Sequence, residues 1–206
     1  MESFLVCSIG RLLRKNISVV FSGKKFLVDP ENGAKYGGEF DEFDKTLKVA
    51  TGIPVHKWFP VYIHEYCHFL QFSAKTKAWL NSSESLQRIF ENISVKTQGR
   101  GHTETKGSKR GFTKKDVLNV MRMEMEAERL VLKIIDEHKI ETDRDKYVKG
   151  ANAYMLYYSI SVYKFSAWPA KSLYRNEKFL NMMPSKKIMP ITWFFEQPDQ
   201  VKKFFL

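Results

Sequence analysis

One string restricts this chain more than any other: Val61-Tyr-Ile-His64-Glu65-Tyr66-Cys67-His68-Phe69-Leu70, set within an apolar run from Trp58 to Phe72. A run that is apolar on nearly every side predicts a helix buried all round. Pro60 suits its first turn, where a missing N–H costs nothing. On such a helix His64 and His68 stand about 40° apart around the axis, so both imidazoles leave one face within reach of one ion. Glu65 lies about 100° from His64, beside that ion rather than on it, where a base takes a proton from an attacking water. The alternative is a pair of core histidines satisfied by hydrogen bonds. Two imidazoles and a carboxylate buried without partners are costly, which favours a metal site. Cys67 falls off the His64/His68 face and reads as packing.

Tetrahedral catalytic zinc takes three protein ligands and keeps one open position. The third donor is sought in Arg122-Met-Glu124-Met-Glu126-Ala-Glu128-Arg-Leu-Val131. On a helical wheel centred on Ala127, Val120, Met123, Leu130, Val131 and Ile134 fall within about 60° of the centre. Glu124 and Glu128 lie on one flank of this apolar arc, about 60° and 100° from its centre, while Glu126 lies on the other beside Asn119. Glu124 is therefore the expected ligand and Glu126 a solvated charge. Glu128 would orient His64 or His68 through its free ring nitrogen.

His64-Glu65-x-x-His68 followed by Glu124-x-x-Ala127-Glu128 resembles the gluzincin pattern H-E-x-x-H … E-x-x-A-D/N. This pattern occurs in ImmA/IrrE-like peptidases and in HtpX-like CAAX-processing peptidases. The resemblance implies a zinc metallopeptidase with one Zn2+ on His64, His68 and Glu124, Glu65 as general base, and Glu128 behind a ligand. It also implies an edge strand above the cleft, in the Gly37–Ala50 hairpin, along which a peptide substrate would lie, although plain sheet packing explains the same residues equally well. Two features depart from the pattern: Glu128 stands where Asp or Asn is usual, and 56 positions separate His68 from Glu124.

The rest of the chain fits an α+β fold in one domain, with a small antiparallel sheet packed against the H-E-x-x-H helix and a second long helix. Residues 1–15 have the spacing of a short amphipathic helix. Ile17–Phe21 and Phe26–Val28 flank Ser22-Gly23-Lys24-Lys25 and read as a β-hairpin, and Glu39–Phe43 with Thr46–Ala50 as a second. Ser82 or Ser83 would cap a helix running to about Ser94. Thr113 and Asp116 form a capping-box pattern ahead of a helix running to about Ile140. A further helix is expected from about Lys146 to Phe165, where Tyr154, Tyr157 and Tyr158 are candidate oxyanion donors, although an aromatic stripe at helical spacing reads first as core.

Residues 96–115 are rich in Gly, Lys and Arg and poor in core formers, which predicts a mobile basic surface loop. The net charge of +11 favours acidic partners, either an acidic protein or peptide substrate or nucleic acid at that loop. A second reading follows: a catalytically inactive protein of this fold that binds nucleic acid or an acidic partner. The two cysteines, Cys7 and Cys67, do not make a disulfide framework. No signal segment or apolar stretch long enough to span a bilayer is seen, so a cytoplasmic protein is expected.

Overall fold

The computed structural model describes residues 1–30, 33, 35–98, 111–157, 159 and 176–196, with the backbone alone for 90–98 and 157. The fold is mixed α+β. By contacts, the chain divides into two compact units, Met1–Trp79 with Ala127–Thr142, and Leu80–Glu126 with Asp143–Leu206. Among the described residues no helix is long and apolar enough to cross a membrane.

The first unit opens with helix α1 (Glu2–Leu13), which buries Phe4, Ser8 and Leu12. Strands β1 (Ser18–Ser22), β4 (Gly38–Asp41) and β5 (Thr46–Ala50) form a three-stranded sheet in the order β1-β5-β4, and β2 (Leu27–Val28) pairs with β3 (Lys35–Tyr36) separately. The sheet corrects the expectation of an all-antiparallel arrangement. Strand β1 runs parallel to β5, with Val19 opposite Leu47 and Phe21 opposite Val49, and makes no hairpin with β2. The reason lies after β5. Thr51 N–H donates to the Ser22 carbonyl and Gly52 N–H to the Lys24 carbonyl, so the turn at 22–24 is already occupied. A Cβ on Gly52 would come within 2.4 Å of the Gly23 carbonyl oxygen, so only glycine permits this approach.

The second expected hairpin forms. Strand β4 pairs antiparallel with β5, and the Asp41 carboxylate accepts from the Phe43 and Asp44 N–H groups at the turn. Strand β5, central and paired on both sides, buries Leu47, Val49 and Ala50. Helix α2 (Val55–Ala74) packs on this sheet, burying Phe59, Tyr62, Ile63, Tyr66 and Phe69. Phe40 of β4 meets Phe69 and Phe72, and Phe4 meets Phe59 and Tyr66 edge-on. Burial of Tyr62 pushes its hydroxyl up to about 12, although the Ser8 hydroxyl lies 2.7 Å away and opposes the shift. Helix α2 begins three residues earlier than expected, so Pro60 lies inside it rather than in its first turn. It ends at Lys75, which adopts the left-handed conformation at φ 50°.

Helix α3 spans Lys77–Gln98 and α4 Lys114–Glu137. Ser82 and Ser83 therefore lie within α3 rather than at its start. Thr76 caps it instead, accepting from Trp79 N–H at 3.3 Å, while Ser82 is buried and donates to Met123 Sδ. Residues 96–98 and 114–115 are helical, which shortens the expected basic loop at both ends; its residues 99–110 lie outside the described residues. In the second unit, α5 (Arg144–Tyr157) carries buried Asn152, which donates to the Pro184 and Lys187 carbonyls and accepts from Met189 N–H. Short helices α6 (Glu177–Asn181) and α7 (Ile191–Glu196) follow.

The start of α4 is held by the expected capping box. Asp116 accepts from Thr113 N–H at 2.8 Å, and Thr113 Oγ1 accepts from Asp116 N–H at 3.3 Å. Arg88 and Ser85 also donate to Asp116. Burial raises the Asp116 pKa, but these hydrogen bonds outweigh it and bring it from 3.8 down to about 2. A lowered folded-state pKa contributes stability that is complete above 3.8 and fades as pH falls toward about 2. Asp116→Asn is expected to lose on the order of 1–2 kcal/mol in urea unfolding at pH 7, with wild type and variant converging as pH approaches that of the native carboxyl.

Candidate metal centre

Helix α2 places His64 and His68 one turn apart, with Glu65 next to the first. His68 and Glu65 are buried and His64 is partly exposed. Helix α4 supplies the acids. Glu124 and Glu128 are both buried, at 8% and 6% exposure, and follow one another by one turn of an uninterrupted helix. Glu126 is half-buried, and Met125, on the far side of the wheel from Ala127, is buried as well. More than one face of α4 is covered, which a single apolar arc does not anticipate.

The tautomers follow from the hydrogen bonds. His68 Nδ1 lies 2.9 Å from the Gln71 amide oxygen, which can only accept, so Nδ1 holds the proton. His64 Nδ1 lies 3.3 Å from Glu128 Oε1, a carboxylate oxygen that likewise accepts. Both rings turn Nε2 inward, and these two atoms stand 3.0 Å apart, at hydrogen-bond distance, with the rings at 88° to one another. Such a contact needs a positive charge between the rings, either a proton on one Nε2 donated to the other or a metal cation against both lone pairs. Metal–nitrogen bonds of about 2.0–2.1 Å in a tetrahedron put two such nitrogens about 3.3 Å apart, close to what is seen.

A carboxylate completes the set. Donor atoms of His64, His68 and Glu124 all lie within 4.8 Å of one another, the one group of this kind among the described residues. These residues can hold a metal ion. No family model, curated protein or solved structure matches this chain.

The surroundings serve the same centre. The Trp79 ring is tilted at 50° to that of His68, with 5.9 Å between ring centroids, and its indole N–H donates to Glu42. Glu65 lies under the edge of the sheet: a Cβ on Gly38 would come within 2.9 Å of Glu65 Cγ and 2.8 Å of Val61 Cγ1. Glycine at 38 thus lets β4 lie directly over the residue between the two histidines. Burial pushes the Cys67 thiol well above its ordinary range, and the carboxylates of Glu128 and Glu65 add to the effect.

Of the candidate oxyanion donors, Tyr154 is half-buried on α5, Tyr157 is the last residue of that helix, and Tyr158 lies outside the described residues, as do residues 160–165 of the expected continuation. His56 is exposed, and His102 lies outside the described residues. Sequence reasoning missed Gln71. Its signal was available in retrospect: a glutamine one helical turn beyond His68, in a run where nearly every neighbour is apolar.

One divalent ion per chain is expected in equilibrium dialysis with elemental analysis. His64→Ala, His68→Ala and Glu124→Ala should each weaken binding by more than about 100-fold, beyond what loss of an outer partner causes. Glu126→Ala should leave it within about twofold. Equal loss on changing Glu124 and Glu126 would contradict the assignment.

Proposed function

We propose that this protein is a zinc-dependent metallopeptidase. The observation that carries the reading is the pair of inward-facing Nε2 atoms of His64 and His68 with Glu124 beside them, and buried Glu65 directly after the first histidine in α2. Two imidazoles and one carboxylate form a donor set used by catalytic zinc, and three protein donors leave a position open. The likeness of His64-Glu65-x-x-His68 and Glu124-x-x-Ala127-Glu128 to gluzincins supports the same reading.

Bound at this centre, zinc would act as a Lewis acid on a carbonyl and acidify water. The chain supplies the rest. Glu65 accepts the proton of the attacking water and hands it to the departing amine. Its burial under Gly38 and β4 limits the positions its carboxylate can take. Glu128 and Gln71 hold the two imidazoles with Nε2 inward. Strand β4 is the outer strand of its sheet, and an extended peptide can pair along it while its backbone passes Glu65. The chain's charge of +11 suits an acidic peptide or protein substrate.

Glu65→Gln removes the base and leaves every metal donor in place. Incubated with a proteome-derived peptide library and read by mass spectrometry, the zinc-loaded variant should cleave at least about 100-fold more slowly than wild type while holding the same zinc. Undiminished cleavage by the loaded variant would exclude Glu65 as the base. No cleavage by the loaded wild type, with salt-sensitive binding of nucleic acid, would favour the inactive binding protein instead.

A further inference from the structure

We infer that Gln71 is a positioning residue for the metal centre, holding His68 in the tautomer that presents Nε2; the inference rests on the metal reading above. Gln71 lies on α2 one turn after His68 and is fully buried. A buried amide is costly unless it is hydrogen-bonded, and an apolar side chain would fill the same volume without that cost. What the amide adds here is its oxygen, 2.9 Å from His68 Nδ1. Because an amide oxygen only accepts, the contact favours the proton on Nδ1 and the lone pair on Nε2. It also fixes the ring plane, since Gln71 and His68 sit on the same turn of a buried helix.

The two imidazoles are thereby held by unlike partners. His64 is backed by the carboxylate of Glu128 at 3.3 Å and His68 by a neutral amide. Glu65, Glu124 and Glu128 already bring three buried carboxylates to this part of the chain. A neutral acceptor at 71 orients the second ring without adding a fourth. Loss of such an outer partner lowers metal affinity by about 10–100-fold in other sites of this kind.

The experiment compares the full-length wild type with Gln71→Leu, which keeps volume and removes the acceptor, and Gln71→Glu, which keeps an acceptor. Zinc affinity is measured by competition with a chromophoric chelator. In the zinc-loaded proteins, exchange of the His68 Nδ1 proton with water is followed by 15N-resolved NMR. Gln71→Leu should bind zinc about 10–100-fold more weakly and lose protection at His68 Nδ1 while His64 Nδ1 keeps its own. Gln71→Glu should bind within about threefold of wild type or tighter, because a carboxylate oxygen replaces the amide oxygen. Should Gln71→Leu fail to fold, Gln71→Met serves the same comparison. Wild-type affinity in a folded Gln71→Leu, or a His68 Nδ1 proton that exchanges as fast in wild type as in that variant, would overturn the inference and leave the metal centre standing. Equal weakening in Gln71→Leu and Gln71→Glu would reduce Gln71 to packing. Wild type that takes up no zinc would end the metal reading itself.

Discussion

Two imidazole nitrogens, Nε2 of His64 and Nε2 of His68, face one another at 3.0 Å in the first unit of this protein, while an acceptor stands against the outer nitrogen of each ring. A proton shared between the two rings or a metal cation against both lone pairs accommodates that arrangement, and Glu124 beside them adds the donor a metal ion needs. The consequence runs outward. Gln71 and Glu128 fix the outer nitrogens, α2 fixes the spacing of the rings, and the apolar faces of α2 hold the helix on the sheet.

The fold supplies that centre with economical means. Strand β5 buries its side chains and receives α2, so the turn bearing His64 and Glu65 rests against β4 at Gly38. Helix α4 then delivers two carboxylates one turn apart, Glu124 among the donor atoms and Glu128 behind His64. The spacing of four that matches one imidazole pair on α2 is met by a spacing of four on α4. Each helix thus sets the spacing of its own donors through its periodicity.

The centre was more legible in the sequence than the sheet was. His64, His68, Glu124 and Glu128 follow from helical geometry, which depends only on neighbours three and four residues away, and the same holds for the Thr113/Asp116 cap. The pairing of β1 with β5 joins residues 28 positions apart, and no local pattern announces it. Ser22-Gly23-Lys24-Lys25 looks like a hairpin turn until Thr51 and Gly52 are seen to occupy its carbonyls. Gln71 escaped notice because a single polar residue in an apolar helix carries no period. Its meaning appears only once the His68 ring is placed beside it.

Extended X-ray absorption fine structure of the zinc-loaded protein tests the central claim most directly, since it reads the donors around the ion. Two imidazoles with one or two further oxygen donors at about 2.0–2.1 Å, and no sulfur, are predicted. A sulfur shell at about 2.3 Å, or a single imidazole, would contradict the convergence of His64, His68 and Glu124 on one ion.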